Sequence, residues 1–218
     1  MTYKMYLLHI GDLEDKELKQ TAMALMDSDR QQLVQKYATE KDRMRAIAAG
    51  LLLQAGFMEL EPSDSISRII KLENGICYQM QTGNLIRWLQ KSSQAEQPIP
   101  LSYEKGKQGK PAWVRQQLQT IFPEKKLWHF NLSHSGDYAV LVVADTEVGV
   151  DIQEPREVKR FSGGYREFSR MEAFVKCTGE GFAGGYKAYE KYAGKVYGYE
   201  FLEWELVEGY ALWLCFAI

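Results

Sequence analysis

The chain has 218 residues, 45% of them hydrophobic and 26% charged, with a formal net charge of −2. That balance predicts an ordinary water-soluble globular protein with one substantial core or two small halves. It supplies no global field to hold nucleic acid or an anionic membrane, so both are excluded as partners and anion binding must come from a local cluster.

In chain order, Tyr3–Ile10 predicts an opening strand. Asp12–Met26 and Asp29–Tyr37 have apolar residues at helical spacing, separated by Asp-Ser-Asp at 27–29. Lys41–Phe57 is the strongest helix, with Met44, Ile47, Ala48, Leu51, Leu52 and Ala55 as its buried stripe and Gly56 as its stop. Asn74-Gly75 marks a turn, Ser92–Pro100 a loop, and Gly106–Pro111 a lysine- and glycine-rich loop. Residues 112–126 predict a short helix and a polar link into a strand over Trp128–Leu132. A strand at Tyr138–Ala144 and a short one at Gly149–Gln153 follow, then a helix near Tyr165–Cys177, a glycine-rich break at 179–185, and strands at Tyr199–Val207 and Gly209–Ile218. Helices and strands mixed without a βαβ rhythm predict an α+β fold. Cys77, Cys177 and Cys215 have no Cys-x-x-Cys spacing and no nearby histidine, which predicts buried thiols in a reducing compartment. The N-terminal residues lack a signal-peptide stretch and no run reaches membrane-spanning length, so the expected location is the cytoplasm.

A weak internal echo runs through the chain. Arg43-Met-Arg-Ala46 returns as Arg170-Met-Glu-Ala173, and Gly136-Asp-Tyr-Ala-Val-Leu-Val-Val143 as Glu208-Gly-Tyr-Ala-Leu-Trp-Leu-Cys215. The same order, helix then strand, predicts two copies of one unit, with Arg45 of the first taking the place of Glu172 in the second.

The chemistry concentrates between residues 130 and 176. Asp151 and Gln153 are two apart on a strand and share a face. Mg²⁺ takes hard oxygen ligands, with one or two protein carboxylates completed by substrate phosphates and water. Asp151 and Glu172 meet that need, with the Gln153 amide oxygen as a neutral third ligand or as the partner of a bound water; two solvated surface acids are the plainer reading. Asn131-Leu-Ser-His-Ser-Gly-Asp137 predicts a turn whose hydroxyls and N–H groups face an anion, with His134 donating to a phosphate oxygen. A structural histidine at a strand start reads equally well. A Ser–His nucleophile pair is disfavoured, since adjacent strand residues point apart and no Gly-x-Ser-x-Gly elbow exists. Lys110, between Gly109 and Pro111, suits a point charge for phosphate, or a solvated basic loop with Lys105, Lys107 and Arg115.

Taken in order, Arg45, Gly109-Lys-Pro111, Asn131-Leu-Ser-His-Ser-Gly136, Gly149-Val-Asp-Ile-Gln153 and Phe168-Ser-Arg-Met-Glu-Ala-Phe-Val-Lys176 resemble the 4′-phosphopantetheinyl transferases of the larger, pseudo-dimeric Sfp type. The resemblance covers residues 36–57 and 106–182 and the final strand. It implies two pseudo-symmetric halves, each a helix with an antiparallel sheet. Residues 1–146 would carry the coenzyme A nucleotide contacts, with an insertion near 60–105, and residues 147–218 the metal site in shortened form. It implies Mg²⁺ and coenzyme A as cofactor and co-substrate, an acyl or peptidyl carrier protein as partner, and a monomer. By position, Asp151, Gln153 and Glu172 would hold the metal, and Glu172 would take the serine proton. Lys176 would neutralise leaving-group charge, while Arg45, Lys110, Ser133 and His134 would hold nucleotide phosphates. The sequence departs from the family at Gln153, where Glu is usual, at Met171, where Lys is usual, and at Phe168, where Trp is usual. The link from Asp151 to Met171 is also shorter than in the family. A catalytically impaired coenzyme A-binding or protein-interaction module is therefore the competing reading.

Overall fold

The computed structural model describes residues 1–57, 66–93, 103–105, 110–113, 129–159, 161–191 and 196–218. Helices and strands mix over these residues without a repeating βαβ order, so the fold is α+β. The chain forms two compact units, one of Lys4–Leu101 with Asp137–Leu141, the other of Met1–Tyr3, Ser102–Gly136 and Val142–Ile218.

The first unit opens with β1 (Tyr3–His9), fully buried from Met5 to Leu8. The helix expected over 12–26 is interrupted: a 3-10 turn (Gly11–Glu14) precedes α1 (Lys16–Ala24). Asp15 causes the break, since its carboxylate accepts the Leu18 N–H at 2.8 Å and so caps a new helix. Asp27 does the same for α2 (Ser28–Gln35), accepting Arg30 N–H at 2.8 Å. α3 (Glu40–Phe57) starts at Thr39, whose hydroxyl accepts the Asp42 N–H at 3.1 Å and donates to the Asp42 carboxylate at 2.6 Å. Its expected stripe is buried, but the helix runs through Gly56 rather than stopping there. α1, α2 and a later helix, α4 (Thr82–Ser93), all pack on α3, and enclosure from several sides favours a helix that is apolar nearly all round. β2 (Ile66–Leu72) and β3 (Gly75–Met80) form an antiparallel hairpin. Its turn uses Asn74 at φ +56°, a left-handed conformation that asparagine tolerates. Strand order is β2-β3-β1, with the first half of β7 (Tyr138–Ala144) beside β1. The Thr82 hydroxyl donates to His9 O at 2.7 Å and pins the start of α4 to the end of β1.

Residues 92 and 93 close α4 rather than opening a loop, and residues 112 and 113 lie in a strand rather than a helix. The rest of the expected loop at 94–100, the loop residues 106–109, the helix and link of 114–126 and Trp128 lie outside the described residues.

In the second unit, β4 (Tyr103–Lys105) and β5 (Pro111–Trp113) pair antiparallel. β6 (His129–Ser135) covers the described part of the strand expected over Trp128–Leu132 and continues through Ser135 into the stretch expected to be a turn; the turn itself falls at Gly136-Asp137. β8 (Val148–Gln153), β9 (Tyr199–Trp204) and β10 (Ala211–Ala217) make an antiparallel sheet in the order β8-β10-β9, with Trp213 opposite Asp151 and Cys215 opposite Gly149. α5 (Gly164–Thr178) packs on β8 and β10, and α6 (Gly181–Lys191) packs on α5. The expected glycine-rich break narrows to Gly179 and Gly181, at φ +65° and +72°; the helix then resumes. Gly185 allows that, because a Cβ there would sit 2.8 Å from Val175 Cγ2. All three cysteines are buried free thiols, and no helix among the described residues is long and apolar enough to cross a membrane.

Among the described glycines of this unit, Gly149 leaves the least room for a side chain. A Cβ there would lie 2.0 Å from Ala173 O and 2.4 Å from Cys177 N, both backbone atoms of α5. Overpacking against a backbone that cannot give way costs about 1–3 kcal/mol and sometimes more. Gly149→Ala is expected to lower unfolding free energy by about 3 kcal/mol in urea titration, because the helix must be pushed off the sheet.

Candidate functional site

β6 and β8 are joined by side chains. Val150 N–H donates to Asn131 Oδ1 at 2.9 Å, Ile152 N–H to Ser133 Oγ at 3.3 Å and Glu154 N–H to Ser135 Oγ at 3.1 Å. The offset stays at 19 residues, so the strands run parallel and three odd-numbered side chains of β6 serve the edge of β8 that β10 does not pair. Alternation along a strand requires small polar residues at these positions and sends the even-numbered ones the other way. Asn131 and Ser133 are accordingly buried, while His134 is exposed.

This ladder delivers Ser133 to a buried charge cluster. Lys176 Nζ lies 2.6 Å from Asp151 Oδ1, 2.9 Å from Ser133 Oγ and 3.2 Å from Val150 O, and so commits all three ammonium donors. Ser133 Oγ donates in turn to Asp151 Oδ1 at 2.9 Å. The α5 backbone is held to the same strand by Ser169 Oγ, which donates to Asp151 O at 3.2 Å. The Asp151 side chain is 2% exposed, and its Oδ2 is buried without a hydrogen-bond partner. Glu172, one turn before Lys176 on α5, makes no hydrogen bond among the described residues. Burial pushes its carboxyl up, Lys176 and Arg156 act to lower it, and Asp151 adds to the rise. Gln153 ends β8, half-buried, on the Asp151 face.

Asp151, Glu172, Lys176 and Ser133 are thus brought together, with Gln153 two residues along the strand. No group of three His, Cys, Asp or Glu side chains able to hold a metal occurs among the described residues. The hard-oxygen set is two carboxylates, and it fits Mg²⁺, which needs only one or two when phosphates and water complete the shell. The orphaned Asp151 Oδ2 is the observation behind that fit, since a buried anionic oxygen without a donor is costly unless something cationic meets it.

Lys110 sits elsewhere on this unit. Its Nζ donates to Cys177 O at 2.8 Å, satisfying the C-terminal end of α5, and pairs with Glu147 Oε2 at 2.5 Å. His129 Nδ1 approaches the other Glu147 oxygen at 3.1 Å. Arg45 belongs to the first unit, where it pairs with Asp42 at 2.9 Å along α3. Glu147 was not among the expected site residues, and Ser135, one of the hydroxyls expected to face an anion, instead accepts from the edge of β8. The alternation Asn-x-Ser-x-Ser was the available signal for Ser135, whereas nothing local marks Glu147. Met171, the departure from lysine, is fully buried in a cluster with Phe174, Tyr186, Tyr189 and Cys215, where an ammonium group would lose its hydration.

No family model matches the chain. It is 33% identical over 85 residues to a 4′-phosphopantetheinyl transferase of Bacillus pumilus, covering 28% of this chain and 36% of that protein. It is 31% identical over 114 residues to a Synechocystis protein that bears the same name provisionally, covering 40% of this chain and 44% of that protein. The matches therefore span less than half the length of these curated relatives.

Two outcomes follow from these contacts. Lys176→Met strands the buried Asp151 charge and is expected to cost about 3 kcal/mol in denaturant unfolding, with much of that loss absent in an Asp151→Asn background. Glu147 is held at about 2, below its ordinary 4.5, first by the His129 hydrogen bond and then by Lys110, against opposing burial. A depressed carboxyl stabilises the fold above its unfolded value, and that contribution is lost as pH falls from about 4.5 towards 2. Glu147→Gln should therefore flatten the acid limb, read as a smaller stability difference between about pH 5 and about pH 3 than in the parent protein.

Proposed function

We propose that the chain is a Mg²⁺-dependent transferase that moves 4′-phosphopantetheine from coenzyme A to a serine of an acyl or peptidyl carrier protein. On this reading it acts as a cytoplasmic monomer without nucleic-acid or membrane partners. The observation that carries it is the partnerless, buried Asp151 Oδ2 in a cluster with Lys176 and the desolvated Glu172. The similarity to the Bacillus pumilus and Synechocystis proteins supports the same reading.

In the proposed reaction the serine hydroxyl oxygen bonds to the phosphorus that carries pantetheine. The diphosphate bond breaks, and 3′,5′-ADP leaves with the electron pair. Asp151 and Glu172 would hold Mg²⁺, assisted by Gln153, and the ion would supply positive charge to the diphosphate oxygens. Glu172 takes the serine proton directly or through one water, and burial strengthens it as a base. Lys176 and Ser133 fix Asp151 through Oδ1, which leaves Oδ2 for the metal; the Lys176 charge also opposes the negative charge that builds on the leaving group. His134, Lys110 and Arg45 are assigned to the nucleotide phosphates, and Ser133 acts there through the placement of Asp151. The proposed halves, residues 1–146 and 147–218, are pseudo-symmetric on the strength of the repeated helix and strand segments.

The test is mass spectrometry of apo-carrier proteins of fatty-acid, polyketide and nonribosomal peptide type, incubated with the protein, coenzyme A and Mg²⁺. One carrier should gain a phosphopantetheine group, and Asp151→Ala or chelation of the metal should abolish the gain. Unchanged mass for every carrier overturns transfer, and coenzyme A binding without transfer would favour the binding-module reading.

A further inference from the structure

The segment between β8 and α5 brings a second cation to the carboxylate site. The Arg156 guanidinium carbon lies 4.9 Å from the centroid of the Phe168 ring. Phe161 meets the same ring edge-on, with centroids 5.6 Å apart and planes at 77°, which fixes the platform. Phe168, Glu172 and Lys176 follow one another at four-residue spacing on α5 and so line one helix face. An arginine laid over the first of them therefore sits beside the second.

The two cations of this face differ in what they have left to offer. Lys176 commits its three donors to Asp151, Ser133 and Val150. Arg156 is exposed and donates to no acceptor among the described residues. Stacking uses the flat face of a guanidinium and leaves its edge, a fork of N–H groups suited to phosphate oxygens, uncommitted. A dianionic diphosphate brought against Asp151 and Glu172 meets like charge there, so a neighbouring cation with hydrogen-bond donors to spare has a clear use.

We propose that Arg156 binds the diphosphate of coenzyme A, gripping its oxygens from the Phe168 platform beside the Glu172 carboxylate. This rests on the transferase reading above and adds to it a residue outside the motifs that suggested it.

The test is calorimetric titration of coenzyme A with Mg²⁺ into the intact protein and into Arg156→Gln, Arg156→Lys and Lys159→Gln, each with a thermal melt. Lys159 is on the same segment, 85% exposed and 3.8 Å from Glu157, so its neutralisation controls for charge alone. Arg156→Gln is expected to weaken binding about tenfold, the worth of a hydrogen bond to a charged group. Arg156→Lys should recover part of the loss, and Lys159→Gln should bind as the parent does. The inference is overturned if Arg156→Gln binds as tightly as the parent or if Lys159→Gln loses as much. It also falls if both Arg156 variants bind equally weakly with lowered melting temperatures, which would mark a structural prop. A parent protein that binds no coenzyme A sinks the transferase reading itself, whereas binding that Arg156 does not affect sinks only this inference.

Discussion

The contact between the backbone of α5 and the backbone of β8, at the place where Gly149 has no side chain, governs the rest of the second unit. Helices normally stand off a sheet by the thickness of the side chains between them. Here one turn of α5 drops onto the strand, with Ala173 O and Cys177 N where a Cβ would be. That drop brings Lys176 into bonding distance of Asp151 Oδ1 and Val150 O, and it brings Ser169 onto Asp151 O. Without it, the carboxylate would be a buried charge with no counterion.

A second constraint is the exposed edge of β8. β10 occupies one side of that strand, and its remaining N–H groups need acceptors in a buried setting. β6 supplies them from side chains, which explains why small polar residues recur at every second position from Asn131 to Ser135. The same geometry makes Ser133 the joint between the ladder and the charge cluster, since its hydroxyl accepts from Ile152 N and Lys176 and donates to Asp151. One short motif therefore closes the strand edge and fixes the orientation of a carboxylate.

Charge at the site is only partly balanced. Lys176 answers Asp151 within the protein, while Glu172 is left desolvated and, among the described residues, is moderated by Lys176 and Arg156. Met171 faces the aromatic core instead and brings no charge to the site. The cluster is electrostatically incomplete on the side of Asp151 Oδ2, and a cationic ligand would complete it.

The sequence by itself was enough to mark the apolar strands β1 and β7, the long helix α3 and the two carboxylates Asp151 and Glu172. Strand and helix periods are local properties, whereas Lys176 entered the reading through the family resemblance. The sequence misjudged the places where a long-range partner takes over. Asn131–Ser135 reads as a polar turn because its partner, the edge of β8, lies 19 residues away. The glycines after Gly179 read as a break because nothing local shows that Gly185 must pass Val175 closely. Asp12–Met26 reads as one helix until Asp15 is seen to cap a second. Only the tertiary structure decided that Ser133 turns inward, that Lys110 closes the end of α5 on Glu147, and that Arg156 lies over Phe168. Each depends on segments that only the fold brings together; for Ser133 the deciding factor is a buried polar group whose satisfaction outweighs local preference.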